Sequence, residues 1–148
     1  MQMSDVAAVL LNIEPELRIA TLSINRPSKR GALSQEVCLL LTRYLGELDG
    51  NTDVSAVVLR SIGSGFSAGD DLMGTPPDAE QAQACIRAME LCAVPVILAA
   101  HGFVFTGALE LVLGADLIVA GEQTTFQDTH AKFGRCGCPT DATVHHTF

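Results

Sequence analysis

"VPVILAAHGFVFTGALELVLGADLIVA", residues 94–120, is the stretch whose reading decides the fold. The apolar run over 94–100 reads as a strand, and 116–120 reads as another. A short helix opened by Gly107 lies between them. Strand, helix and strand in such quick succession imply a crossover, and crossovers build parallel sheets. A helix through 107–113 is apolar on nearly every face, as a buried helix is, yet it carries Glu110. Burial disfavours the charged form of a carboxylate and suits it to general acid–base work. Backbone N–H groups at a helix start are also ready donors for a developing oxyanion.

Working outward, the same alternation of strand and helix recurs. Residues 6–13 and 18–25 read as strands joined through Glu14, Pro15 and Glu16. Ser34 is a good N-cap for a helix whose Val37, Leu40, Leu41, Tyr44, Leu45 and Leu48 share one face, and Gly50 closes it. AVVLRS at 56–61 reads as a buried strand, and 78–92 has helical composition after Pro76 and Pro77. The fold class is therefore α/β with a largely parallel core. Periodicity ends at Arg135, so 1–134 is expected to be the core and 135–148 an irregular tail.

Composition excludes several functions. With 148 residues, one domain with a real core is expected. A net charge of −8 without a basic cluster argues against nucleic-acid binding. Residues 91–109 carry no formal charge, but Pro95, Gly102 and Gly107 argue against a membrane-spanning helix. Five scattered cysteines after an N-terminus with no secretory signal suggest reduced thiols and an intracellular protein, cytoplasmic or mitochondrial. The C-terminus shows no peroxisomal address. Cys136, Cys138, His145 and His146 fit zinc-ligand spacing poorly, so no metal site is expected.

The glycine-rich stretch GSGFSAGDDL at 63–72 contains G-x-S-x-G through Gly65, Ser67 and Gly69. A nucleophile elbow needs a helix directly after it, whereas Asp70 to Gly74 lead into two prolines. A dinucleotide loop fails on the same ground. Taken alone, the stretch reads as a turn after a buried strand.

Four stretches in order give a more specific reading: INRPSKRGALS at 24–34, AVVLRSIGSGFSAGDDL at 56–72, the opening stretch at 94–120, and TTFQDTHAKFG at 124–134. Together they resemble the crotonase (enoyl-CoA hydratase/isomerase) superfamily. The resemblance implies a ClpP/crotonase spiral of repeated β-β-α units. It further implies an oxyanion hole made by the backbone N–H groups of Asp70 and Gly107, which holds the enolate of an acyl-CoA thioester. Glu110 falls on the first catalytic carboxylate, which explains its presence in an apolar helix. Lys29, Arg30, Ala32 and Ala68 match the region that contacts the nucleotide part of coenzyme A, and Asp71 and Leu72 complete the substrate-binding loop. Asp71 matches an aspartate expected to act structurally. Coenzyme A enters as part of the substrate, and no separate cofactor is implied.

Departures from the pattern matter equally. His130 stands where the hydratases carry their second glutamate, and it is carried as a candidate catalytic residue. Thr106 replaces a common glycine, and Gly31 a common asparagine. The family's C-terminal helices, which build trimers, have no counterpart, so a shortened or frameshifted chain with exposed apolar surface and a tendency to form homo-oligomers is expected. The implied activity is 2-enoyl-CoA hydration. The alternatives are double-bond isomerisation and a catalytically silent acyl-CoA-binding or assembly subunit.

Overall fold

Ala20, Leu22 and Ile24 alternate along one strand and are all fully buried, so the period-two pattern places a sheet directly on the core. The computed structural model describes residues 7–129. Strand β1 (Val9–Glu14) pairs antiparallel with β2 (Ile19–Ile24) through a turn in which Leu17 N–H donates to Glu14 O at 3.2 Å. A 3-10 turn (Pro27–Lys29) leads to α1 (Gln35–Leu48). Then follow β3 (Ala56–Ser61), α2 (Ala79–Glu90), β4 (Val96–Ala100), β5 (Phe103–Phe105), α3 (Gly107–Leu113), β6 (Leu117–Ala120) and β7 (Thr125–Gln127).

The larger sheet has the order β1-β2-β3-β4-β6, parallel from β2 onward. Its register sets Leu22, Leu59, Leu98 and Ile118 side by side in one row. A second, minor layer runs beside it. There β5 pairs in parallel with β7, Ser67 bridges to Val104, and Leu33 bridges to Asp70. Each turn of the chain thus adds one strand to the main sheet and one short strand or bridge to the minor layer. This is the expected spiral of β-β-α units. Because β2, β3 and β4 are parallel and in register, the loops that follow them emerge at one rim.

The helices start where the sequence signals them. Ser34 Oγ accepts the Val37 N–H at 3.3 Å, and Asp78 and Gln81 form a reciprocal capping box ahead of α2. Helix α1 buries Val37, Cys38, Leu41, Leu45 and Leu48, with Leu40 and Tyr44 at the margin of the core. Cys38 and Cys85 meet between α1 and α2. Their mutual hydrogen bond holds the Cys38 thiol below its ordinary value and, together with burial, pushes Cys85 well above it. Cys38, Cys85 and Cys92 are free.

One expectation needs correction. Helix α3 is not enclosed: Ala108, Leu111 and Val112 are buried, but Glu110 is only half-buried and Leu113 is 46% exposed. Seven residues make barely two turns, and their packing against β5 and α2 covers one face. The strand near 116–120 forms and, among the described residues, lies at an edge of the sheet, with Leu117 60% and Val119 62% exposed. The uncharged stretch 91–109 is divided among the loop after α2, β4, β5 and the start of α3. Among the described residues, no helix is long and apolar enough to cross a membrane.

Because Ser34 fixes both the start of α1 and the end of the loop preceding it, Ser34→Ala should lower unfolding free energy by about 1 kcal/mol. Urea denaturation monitored by circular dichroism should show a reduced midpoint with unchanged slope.

Candidate functional site

The loop after β2 and the loop after β3 are joined by main-chain hydrogen bonds. Leu33 N–H donates to Gly69 O at 2.8 Å, Asp71 N–H to Leu33 O at 2.8 Å, and Ala68 N–H to Arg30 O at 3.0 Å. Such close backbone approach leaves no space for a side chain at Gly31. A Cβ there would lie 2.2 Å from Phe66 O, and the residue has φ +65. Gly69 is constrained likewise, with φ +93 and only 2.9 Å from such a Cβ to Phe105 O. Glycine at 31 is thus demanded by packing of loop on loop.

Side chains reinforce that join. Arg26 Nη2 bonds Asp71 Oδ2 at 2.7 Å, while its Nη1 donates to Ala32 O at 2.7 Å. Asp71 is buried, and Arg26 is largely so. The Arg26 guanidinium holds the Asp71 carboxyl below the usual carboxylate range against the opposing effect of burial, with the Met73 and Gly74 N–H groups assisting. Asp71 therefore serves the shape of the loop, and its carboxylate faces Arg26. Sequence reasoning passed over Arg26. Its one signal was that an aspartate in a loop destined for burial needs a cation.

The loop after β4 completes the rim. Phe66 N–H donates to His101 O at 2.8 Å, while Ser67 N–H donates to Phe103 O and Phe105 N–H to Ser67 O, each at 3.1 Å. These bonds bring residue 70 against the start of α3: a Cβ at Gly107 would lie 2.5 Å from Asp70 Oδ1. The two positions expected to supply the oxyanion donors thus abut, although 37 residues separate them (107 − 70). Glu110 sits half-buried in the first turn of α3. Thr106, just before it, has φ +52 and ψ −116, a strained conformation for a β-branched residue, and its hydroxyl bonds that of Thr129.

The remaining candidates are placed as follows. Lys29 ends the 3-10 turn and is exposed, as is Arg30, which has a left-handed backbone with φ +53. Ala32 is buried, Ala68 half-buried and Leu72 exposed. His130 and the tail cysteines and histidines lie outside the described residues. Among the described residues no group of three or more His, Cys, Asp or Glu is arranged to hold a metal ion. The serine-elbow reading is excluded by geometry. Ser67 is fully buried, its Oγ accepts the Gly69 N–H at 3.1 Å, and no helix follows Gly69 directly.

The Arg26–Asp71 pair has a defined pH signature. A folded carboxyl held below its unfolded value stabilises the protein above that unfolded value, and the contribution is lost as pH falls through the folded one. Asp71→Asn should therefore cost about 3 kcal/mol near pH 7 by leaving Arg26 without its charge partner. Denaturation at several pH values should show this deficit shrinking once pH drops below about 4.

Comparison with known proteins bears on the family and the fold. Residues 14–144 match the enoyl-CoA hydratase/isomerase family. The chain is 32% identical over 123 residues to the probable enoyl-CoA hydratase 1, peroxisomal, of Arabidopsis thaliana, covering 78% of this chain and 46% of that protein. It is also 32% identical over 125 residues to the Delta(3,5)-Delta(2,4)-dienoyl-CoA isomerase, peroxisomal, of the same plant, covering 71% of this chain and 45% of that one. The crystal structure of an enoyl-CoA hydratase from Mycobacterium smegmatis superposes with a TM-score of 0.79 at 29% identity, covering 86% of this chain and 53% of that one. The chain spans about half the length of the curated relatives it matches. Both sequence and fold place this chain in the enoyl-CoA hydratase/isomerase family.

Proposed function

We propose that this chain carries out chemistry on an acyl-CoA thioester through an enolate, with 2-enoyl-CoA hydration as the reaction. The observation that carries the reading is the contact of Asp70 with Gly107 at the start of α3, whose first turn also carries the half-buried Glu110. In this reading the thioester oxygen sits between the N–H groups of residues 70 and 107. Negative charge develops on that oxygen as the reaction proceeds, and donors held rigidly by the surrounding backbone stabilise it without reorganising. Gly107 opens α3, so its N–H has no acceptor within the helix.

Glu110 is the principal proton carrier, close enough to the hole to act at the α and β carbons of the acyl group. Lys29 and Arg30 project from the rim where a phosphate-bearing nucleotide would lie, and they bring positive charge to an acidic chain. The chemistry calls for no metal or redox group, and coenzyme A arrives with the substrate. A second reading, double-bond isomerisation, is favoured by His130, which stands where the family resemblance leads one to expect another glutamate.

Calorimetric titration with an unreactive acyl-CoA analogue, beside free coenzyme A, tests the hole. Tighter binding of the thioester is the expected result, and equal or absent binding contradicts the reading. Glu110→Gln should then lower kcat by about 10²–10⁴-fold with analogue affinity unchanged. Binding without any Glu110-dependent turnover would identify a silent acyl-CoA binder.

A further inference from the structure

The space beside Gly107 is filled by a carboxylate from another loop. Ideal Cβ geometry at residue 107 falls 2.5 Å from Asp70 Oδ1, 3.3 Å from its Cγ and 3.8 Å from Oδ2. The Asp70 side chain thus occupies the place that a side chain of residue 107 would take. Residues 107 and 110 are i and i+3 on α3, so their Cβ positions lie about 5–6 Å apart on one face. Long helical side chains lean toward the helix N-terminus, which inclines Glu110 back over Gly107. The Asp70 carboxylate thus lies on the face of α3 that also carries Glu110.

We propose that the Asp70 side chain, and not its backbone alone, takes part in the reaction, protonating the α carbon while Glu110 takes the proton from water. This rests on the hydratase reading above. Addition of water across a conjugated double bond needs one group to accept a proton and another to donate one. The water oxygen bonds to the β carbon, and its proton passes to Glu110. The electron pair of the double bond moves onto the thioester oxygen, held as the enolate. Glu110 hands the proton it took from water to Asp70, which delivers it to the α carbon as the enolate collapses. Both carboxylates thus return to their starting states, and only water has been added. The α carbon is the atom next to the thioester carbonyl, which fits assigning it the carboxylate nearest the oxyanion hole. Glu110, farther along α3, is left to the β side.

Asp70→Asn and Asp70→Ala test this, because both keep the main-chain bonds of residues 69–71. Expected are a loss of crotonyl-CoA hydration of at least about 100-fold, wild-type affinity for the unreactive acyl-CoA analogue, and partial rescue in Asp70→Glu. Exchange of the α protons of butyryl-CoA with deuterated water should vanish in Asp70→Asn and persist in Glu110→Gln. Wild-type hydration in Asp70→Asn overturns the proposal, as does loss of analogue binding together with activity. If Glu110→Gln is inactive while Asp70→Asn is not, this inference alone falls. If both variants remain fully active, the underlying hydratase reading falls with it. A wild-type chain that binds the analogue but neither exchanges nor hydrates also overturns the proposal.

Discussion

The ion pair of Arg26 with Asp71 is the contact on which the site's geometry depends. One guanidinium spans two loops, bonding the Asp71 carboxylate with one nitrogen and the Ala32 carbonyl with the other. Buried charges are costly unless paired and hydrogen-bonded, and this pair meets both conditions through Arg26 and the N–H groups of Met73 and Gly74. The energetic return is specificity of shape more than raw stability. With residues 32 and 71 held together, residue 70 has little freedom in where it presents its backbone.

The sheet supplies the rest of that precision. Strands β2, β3 and β4 run parallel in one register, so the segments that follow them start at the same level. Residues 26–33, 66–72 and 101–110 then touch through short main-chain bonds, each loop leaning on its neighbour. Among the described residues, no side chain of the site is carried at the end of a long unsupported excursion. Rigid elements beneath interlocked loops are what electrostatic preorganisation requires.

Elements governed by local rules were legible in the sequence. The Ser34 cap, the AVVLRS strand and the start of α2 depend on neighbours a few residues away, and all lie where propensity and capping place them. Strands β5 and β7 were not read, since three residues cannot display a period and their pairing spans distant segments. Arg26 escaped for the same reason: its partner is 45 positions away. The exposure of β6 was hidden by its composition, because an apolar strand reads alike at the middle and at the edge of a sheet. The family resemblance pointed to the backbone of Asp70, whereas only the packing against Gly107 shows where its carboxylate lies.

That edge has a consequence for the life of the molecule. In the row Leu22, Leu59, Leu98 and Ile118, the first three side chains are sealed from water, but Ile118 is 39% exposed. Neither proline nor lysine guards β6, whose sequence is LIVA. Among the described residues only β4 pairs with β6, so an extended apolar segment that meets the other side finds open backbone groups and matching surface. Association through such an edge rises with concentration, so the yield of folded chain on refolding is set by dilution as well as by core packing.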